Sequence, residues 1–189
     1  MEAILKKEIV SNKVLCRMFG VLAFVCLTGL GAFVRIPLSF TPVPLTLQTF
    51  FVLLSGAFLG SNLAGIAQLS YLFLGVTGLP IFTGPQVSGL SYLSGPTGGY
   101  LFGFVLASLF IGRFIKYIQN NLFVIFGLFL LGDFIILSLG VMWLRLLFGY
   151  NFTKLLSIGF LPFIPGDLLK AYLASILYLK LKSRLKEIF

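Results

Sequence analysis

Long apolar runs separated by short loops occupy most of this 189-residue chain and constrain its fold more than any other feature. Hydrophobic residues make up 59% of the chain and charged residues only 10%, whereas a water-soluble domain carries about 25% charged residues. The surplus apolar surface must therefore face lipid. The sequence predicts an integral membrane protein, with residues 1–189 folded as a single membrane domain.

The apolar runs predict an all-α bundle of six transmembrane helices. A helix needs about 20 apolar residues to cross the hydrocarbon core, and six such helices use roughly two thirds of the chain, so no soluble domain fits beside them. The first run is expected to be retained as a span rather than removed as a signal peptide. The predicted spans are Val14–Val34, Leu45–Gly60, Leu63–Gly78, Thr97–Ile115, Leu122–Phe148 and Gly159–Leu179.

The lysine and arginine residues predict the orientation of this bundle. An even number of spans places both termini on one side, and loops rich in Lys and Arg stay in the cytoplasm. The side of the termini would hold Lys6, Lys7, Lys13, Arg17, Arg113, Lys116, Lys180, Lys182, Arg184 and Lys186. The opposite side would hold Arg35, Arg145 and Lys154. Both termini are therefore predicted to be cytoplasmic, in a multi-pass protein of the cell membrane, and the formal charge of +9 is a topology signal rather than a nucleic-acid patch.

Patterns for catalysis, nucleotide binding or metal binding are absent from the sequence. Histidine does not occur, and Cys16 and Cys26 lie in one apolar segment, so neither a zinc site nor a Cys–His pair can be built. The GxxxxGK[ST] and GxGxxG phosphate-binding patterns do not occur either. Hydrolytic chemistry would have to rest on Asp133 and Asp167 alone. We predict no enzyme activity, no metal site and no resident cofactor.

Two oppositely charged residues, Asp167 and Lys170, stand near the start of the last apolar run. Their spacing places them on one face of a helix. A charged side chain deep in the membrane costs about 3 kcal/mol on insertion scales, so such residues face a cavity or a partner. Pro165 and Gly166 suit a helix N-terminus, which attracts acceptor groups. The pair either forms a buried ion pair or contributes to a binding site.

Two irregular segments are predicted to lie on the same outer side as this pair. Arg35–Pro44 contains three prolines, and Ile81–Pro96 is rich in glycine and aromatic residues without any charge. Irregular backbone at membrane depth is tolerated where it is buried or lines a cavity, so we expect the second segment to fold inward as a lid. The cavity would suit a small, partly apolar ligand held at a few polar points. Its other candidate residues are Gln48, Phe82, Gln86, Tyr92, Thr97 and Tyr100.

Alternatives remain open for several of these side chains. Gln48 is equally consistent with a hydrogen bond between helices. For each aromatic ring, a lipid-facing position is the alternative. Asp133, in the fifth run, either lines the same cavity or pairs with Arg145, Lys170 or a neighbouring helix.

Four motifs, in this order along the chain, resemble those of the BioY biotin transporters, the substrate-capture (S) components of energy-coupling factor (ECF) importers. The motifs are Pro42–Thr49 (PVPLTLQT), Leu74–Phe82 (LGVTGLPIF), Gly95–Tyr100 (GPTGGY) and Phe163–Lys170 (FIPGDLLK). The resemblance implies a six-helix bundle that binds biotin from outside, under loops between helices. It also implies that Asp167 and Lys170 occupy the family's biotin-contacting positions.

The resemblance further implies partners. A transmembrane coupling protein and ATPase subunits would energise uptake, and small residues on the first span, Gly20, Ala23 and Gly29, would contact the coupling partner. The alternative function is solitary uptake of biotin, or of another small vitamin, without a dedicated ATPase module.

Overall fold

The computed structural model describes residues 13–82 and 89–185, which are mostly α-helical. The helices in these ranges are α1 (Lys13–Phe33), α2 (Gln48–Leu59), α3 (Ser61–Val76), α4 (Leu90–Leu93), α5 (Gly98–Phe114), α6 (Leu122–Phe148), α7 (Phe152–Gly159) and α8 (Ile164–Leu185). Single 3₁₀ turns follow α5 (Ile115–Tyr117) and precede α8 (Leu161–Phe163). The strands β1 (Arg35–Ile36) and β2 (Leu45–Thr46) pair antiparallel, with Arg35 opposite Thr46 and Ile36 opposite Leu45.

Four helical stretches in the described residues are long and apolar enough to cross a membrane. They are Val14–Phe33, Gly98–Tyr117, Leu122–Phe148 and Phe152–Ser183, the last comprising α7, the second 3₁₀ turn and α8. Each matches one predicted span in position. The stretch that contains the last predicted span is broken, so the long helix α8 starts at Ile164 rather than at Gly159.

The predicted second and third spans are shorter helices than expected. α2 has 12 residues and α3 has 16, which at 1.5 Å per residue gives about 18 and 24 Å, against a hydrocarbon core of about 30 Å. α2 begins late because Leu45–Thr46 is used in the strand pair. It ends at Gly60, whose φ of 75° breaks the helix before α3.

α5 lies at the centre of the bundle and packs against α2, α3 and α6. Its glycines permit this close packing. A Cβ atom on Gly103 would lie 2.8 Å from the Ile136 Cα of α6, and one on Gly112 would lie 2.3 Å from the Ser61 backbone nitrogen of α3. Helices α2, α3 and α6 therefore surround α5 at backbone distance, and the cavity described below forms at one end of this arrangement.

A buried polar cluster joins α1, α2 and α3. The Gln68 side-chain amide donates to Ser55 Oγ at 3.1 Å and to Thr28 Oγ1 at 3.4 Å, and all three side chains are fully buried. Hydrogen bonds between membrane helices contribute about 0.6 kcal/mol each on average. They also fix which faces of the three helices meet.

The small residues of α1 do not share one outward face, contrary to the expectation for Gly20, Ala23 and Gly29. Gly20 and Gly29 are buried, whereas Ala23 is exposed. A Cβ atom on Gly29 would lie 3.6 Å from Ile81, so this glycine packs inside the bundle. Ala23 alone of the three remains available to a partner.

Candidate ligand-binding site

A cavity opens at the end of the bundle where α2, α5 and α8 begin. Its empty volume is about 480 Å³ when the space at its open mouth is included, but only about 50 Å³ admits the centre of a water molecule. A ligand larger than a few waters therefore requires side chains at the mouth to move. The lining residues are Val43, Pro44, Leu45, Thr46, Gln48, Thr49, Tyr92, Thr97, Tyr100, Leu101, Phe104, Ile136, Leu137, Phe163, Asp167 and Lys170.

Asp167 and Lys170 form a buried ion pair in the wall of this cavity. Both stand in the first turns of α8, and the Lys170 Nζ atom lies 2.6 Å from Asp167 Oδ1. Asp167 is 4% exposed and Lys170 is 8% exposed. Water reaches the pair poorly, so each charge depends on its partner and on neighbouring polar groups. The ion pair and the cavity position, which the sequence presented as alternatives, occur together.

Two threonines complete the surroundings of the Lys170 ammonium. Lys170 Nζ donates to the Thr46 carbonyl oxygen at 3.1 Å and to Thr49 Oγ1 at 2.5 Å. With Asp167, these contacts match the three donors of an ammonium group. The Thr49 hydroxyl also lies within hydrogen-bonding reach of the Asp167 carboxylate. Neither threonine was among the predicted site residues. Their position in the motif Pro42–Thr49 was the sequence signal that could have identified them.

Gln48 connects the cavity to the neighbouring helix. It is 5% exposed, its Nε2 donates to Tyr71 Oη at 2.7 Å, and its Oε1 accepts from Thr46 Oγ1 at 3.1 Å. Tyr71 Oη in turn donates to the Ile81 carbonyl oxygen at 3.2 Å. The expected hydrogen bond between helices is therefore present, and Gln48 also lines the cavity, while its contact with a ligand stays a prediction.

Aromatic rings cover one side of the cavity. Tyr92, on α4, lines it, whereas Phe82 is buried behind Tyr92, with ring centroids 4.9 Å apart. Phe82 also meets the edge of Tyr71 at 5.4 Å. The described ends of the segment Ile81–Pro96 thus fold inward as expected of a lid. Gln86, the candidate polar residue of this segment, lies outside the described residues.

Tyr92 and Thr97 place two hydroxyl groups at the cavity wall. Burial raises the pKa of the Tyr92 phenol above its ordinary value, and the Thr97 hydroxyl within hydrogen-bonding reach opposes part of this rise. Tyr92 therefore remains protonated at neutral pH. Thr97 stands at the N-cap position of α5, but its side chain makes no capping hydrogen bond. The hydroxyl is thus not used as a helix cap.

Tyr100 and four apolar side chains form the inner wall. Tyr100 Oη donates to the Gly159 carbonyl oxygen at 2.7 Å, which points this hydroxyl toward α7 and leaves the ring against the cavity. The apolar wall residues are Leu101, Phe104, Ile136 and Leu137. Nothing in the sequence marked these four, because every apolar residue of a span looks alike until the helices are packed.

Asp133 lies outside this lining. It is 3% exposed on α6, and neither carboxylate oxygen has a hydrogen-bond partner in the described part of the chain. It interacts electrostatically with Asp167 and Lys170 but forms no hydrogen bond with either side chain. None of the expected alternatives, a place in the cavity or a pairing with Arg145, Lys170 or a neighbouring helix, is found among the described residues.

The site combines a carboxylate, an ammonium, uncharged hydroxyl and amide groups and an aromatic cover. Such a set can hold a small molecule that has donors, acceptors and an apolar body. Together with helices that are apolar enough to cross a membrane, it defines a helical membrane protein with a solute-binding cavity.

The chain belongs to the BioY family, whose sequence profile matches residues 6–187. The biotin transporter BioY of Thermotoga maritima is 41% identical over 160 residues, covering 84% of this chain and 91% of that protein. A probable biotin transporter BioY of Pyrococcus horikoshii is 40% identical over 157 residues, covering 82% and 88%. The crystal structure of the S-component for biotin from an ECF-type ABC transporter is similar, with a TM-score of 0.82, 29% identity and coverage of 92% of this chain and 93% of that chain.

Proposed function

We propose that this chain captures biotin in the cavity beside Asp167 and Lys170 and takes it up across the cytoplasmic membrane as the S component of an ECF-type importer. The observation that carries the proposal is a buried ion pair in a cavity wall to which three of the family-like motifs contribute, Pro42–Thr49, Gly95–Tyr100 and Phe163–Lys170. Its relatives are biotin transporters and a biotin S-component. The protein binds and transports biotin, and it is not an enzyme.

The chemistry of biotin suits this cavity. Its ureido group has two N–H donors and one carbonyl acceptor, next to a compact thioether ring and an apolar chain that ends in a carboxylate. Asp167 accepts from the ureido N–H groups, and Lys170 donates to the ureido carbonyl or to the carboxylate. Gln48 supplies an uncharged polar group, while Tyr92 and Tyr100 cover the rings, with Phe82 supporting Tyr92 from behind. Gln86 is proposed as a further polar contact from the lid.

To bind a ligand, the Lys170 ammonium must replace at least one of its present hydrogen-bond partners with an acceptor of the ligand. All of its donors are used by Asp167, Thr46 and Thr49, and the cavity is narrow. A ligand acceptor therefore replaces the Thr49 hydroxyl or the Thr46 carbonyl oxygen as Tyr92 moves outward. The exchange retains a charge-assisted hydrogen bond while adding apolar burial.

The proposed topology has six membrane-embedded helices with both termini in the cytoplasm. Support comes from the basic residues, which the positive-inside rule assigns to the cytoplasm, and from the apolar character of the short helices α2 and α3. In this orientation the cavity opens outward, where a captured vitamin is first encountered. The chain would then be a multi-pass protein of the cytoplasmic membrane.

We propose a transmembrane coupling protein and ATPase subunits as partners, since the likeness to an ECF-type S-component favours such a module. The alternative is solitary uptake. Transport of labelled biotin by a host that lacks ECF genes distinguishes the two. Uptake there by this chain alone would support solitary transport, and uptake only on adding the coupling and ATPase genes would support the module.

Equilibrium binding of labelled biotin to the detergent-purified protein tests the ligand. We expect saturable binding that unlabelled biotin abolishes and that an equal excess of riboflavin leaves unchanged. Competition by riboflavin but not by biotin would overturn the ligand assignment.

A further inference from the structure

A basic groove lies at the opposite end of the bundle from the cavity. Helix α2 runs from Gln48 at the cavity to Leu59 at this groove, and α5 runs from the cavity to Arg113 at the groove. The groove is lined by Arg17, Arg113 and Lys116, with the α2–α3 turn between them. Three cations therefore converge on one depression formed by α1, the α2–α3 turn and the end of α5.

No carboxylate of the described residues neutralises this groove. The described carboxylates belong to Asp133 and Asp167, and both are buried elsewhere in the bundle. Lys116 lies over the ring of Tyr117 at 4.8 Å, a position that holds its charge at the surface. Clustered cations at the surface of a membrane protein attract anionic head groups, each adding to the attraction.

An apolar groove continues from the basic one between α1 and α3. The two share Arg17 and Leu63, and the apolar groove is otherwise lined by apolar side chains except at Ser70. Its remaining lining residues are Val14, Met18, Val21, Leu22, Val25, Ile66 and Leu74. A ligand with one negatively charged end and one long apolar chain matches this pair of grooves, because the basic groove would hold the charged end and the adjoining apolar groove the chain.

The length of the apolar groove matches one membrane leaflet. It follows α3 from Leu63 to Leu74, a distance of 11 helical steps or about 16.5 Å at about 1.5 Å per step. Half of a hydrocarbon core of about 30 Å is about 15 Å. An acyl chain whose head group sits among the three cations would therefore end near the middle of the bilayer.

We propose that this composite groove binds one anionic phospholipid, with its phosphate between Arg17, Arg113 and Lys116 and an acyl chain along α1 and α3. The occupant comes from the leaflet at the Arg17 end of the bundle. Charge complementarity favours an anionic head group, and the continuous apolar groove favours a lipid over a free phosphate or a soluble anion. The site is separate from the cavity and does not depend on the identity of the transported solute.

Native mass spectrometry of the detergent-purified full chain measures this binding directly. The probes are phosphatidylglycerol and phosphatidylcholine with identical acyl chains, and inorganic phosphate as a competitor. We expect one phosphatidylglycerol to bind at least tenfold more tightly than phosphatidylcholine. Each basic side chain near the surface contributes about fivefold in affinity, so the triple variant Arg17→Gln, Arg113→Gln, Lys116→Gln should lose about a hundredfold for phosphatidylglycerol and little for phosphatidylcholine.

Two further variants separate the head group from the chain. Ser70→Phe fills the apolar groove and should weaken both lipids, while the paired change Arg145→Gln, Lys154→Gln near the other end of the bundle should weaken neither. Size-exclusion profiles and circular dichroism verify that each variant is folded. Equal affinity of the wild type for the two lipids, or an unchanged triple variant, would overturn the proposal. Displacement of phosphatidylglycerol by inorganic phosphate at equal concentration would also overturn it. So would a triple variant that still binds phosphatidylglycerol but no longer binds the coupling protein, because the three cations would then serve the protein partner and not the lipid.

Discussion

The ring of Phe82 stacks on the ring of Tyr92, with centroids 4.9 Å apart and planes inclined by 18°. Tyr92 lines the cavity, and Phe82 is held from behind by Gly75 of α3, where a Cβ atom would lie 2.0 Å from Phe82 Cζ. The stack therefore joins the end of α3 to the short helix α4 across the cavity mouth. Any change that moves Phe82 should also move Tyr92.

Gly75→Ala tests this stack. The added methyl group overlaps Phe82, and overpacking of this kind costs about 1 to 3 kcal/mol, so Tyr92 should lose its position. We expect weaker binding of labelled biotin and a lower Tm. Gly127→Ala is the matched control, since nothing lies within 4 Å of its Cβ position on α6, and it should leave the affinity unchanged. Wild-type affinity in Gly75→Ala would contradict a role for the stack in binding.

A double-mutant test shows whether Asp167 and Lys170 contact the ligand or only neutralise each other. If the two only neutralise each other, removing one leaves a buried charge and costs about 3 to 5 kcal/mol, and removing both is nearly neutral. If both contact biotin, each change loses about 1.5 to 3 kcal/mol of charge-assisted hydrogen bonding, or about ten- to hundredfold in affinity. We expect Asp167→Asn, Lys170→Met and the double variant all to bind biotin weakly.

The readouts are biotin affinity and thermal stability in one detergent. Stability should recover in the double variant, because the unpaired charge is gone, while affinity should stay low. Wild-type affinity in the double variant would refute direct contact between these two side chains and the ligand.

Asp133→Val is expected to stabilise the protein. The carboxyl group is 3% exposed and lacks hydrogen-bond partners in the described part of the chain, and an unsatisfied buried polar group costs about 1 to 3 kcal/mol. Removing both unpaired oxygens should raise the Tm without changing biotin affinity. Asp167→Asn is the contrasting variant, since it leaves the Lys170 ammonium unpaired and should lower the Tm. A lower Tm for Asp133→Val would show that the Asp133 carboxyl group has a stabilising partner.

Terminal tags test the proposed orientation. Because most basic residues share the side of the termini, protease added to intact spheroplasts should leave both tags uncut, and lysis should expose them. A tag placed in the Arg35–Pro44 loop serves as the accessible control. Cleavage of the terminal tags without lysis would reverse the bundle and place the cavity mouth in the cytoplasm.

Ala23→Trp tests the contact with a coupling partner. Of the three small residues considered on α1, only Ala23 is exposed, so a bulky side chain there should block docking and reduce uptake while biotin binding is retained. Met142→Trp on α6, where the side chain is 64% exposed, is the control for an added tryptophan at an exposed position. Equal loss of uptake in both variants would argue against a specific docking role for Ala23.

The sequence by itself determined the features that depend on composition and on short spacing. Apolar runs indicate membrane helices wherever they occur, because lipid selects for them without reference to the rest of the chain. The spacing of Asp167 and Lys170 places both on one helical face, and the structure contains the ion pair at 2.6 Å. The positions of four long helices and the inward course of Phe82 and Tyr92 followed from the same kind of local reasoning.

Only the tertiary structure decided which distant residues meet. Lys170 contacts Thr46 and Thr49 more than 120 residues earlier in the chain, and Gln48 reaches Tyr71 on the next helix. The sequence likewise did not show that Gly20 and Gly29 are buried, or that Asp133 lacks a hydrogen-bond partner among residues 13–82 and 89–185. In membrane helices that are mostly apolar on all sides, the periodicity of hydrophobic residues does not show which side is buried. That side is determined by the close packing of the neighbouring helices around α5.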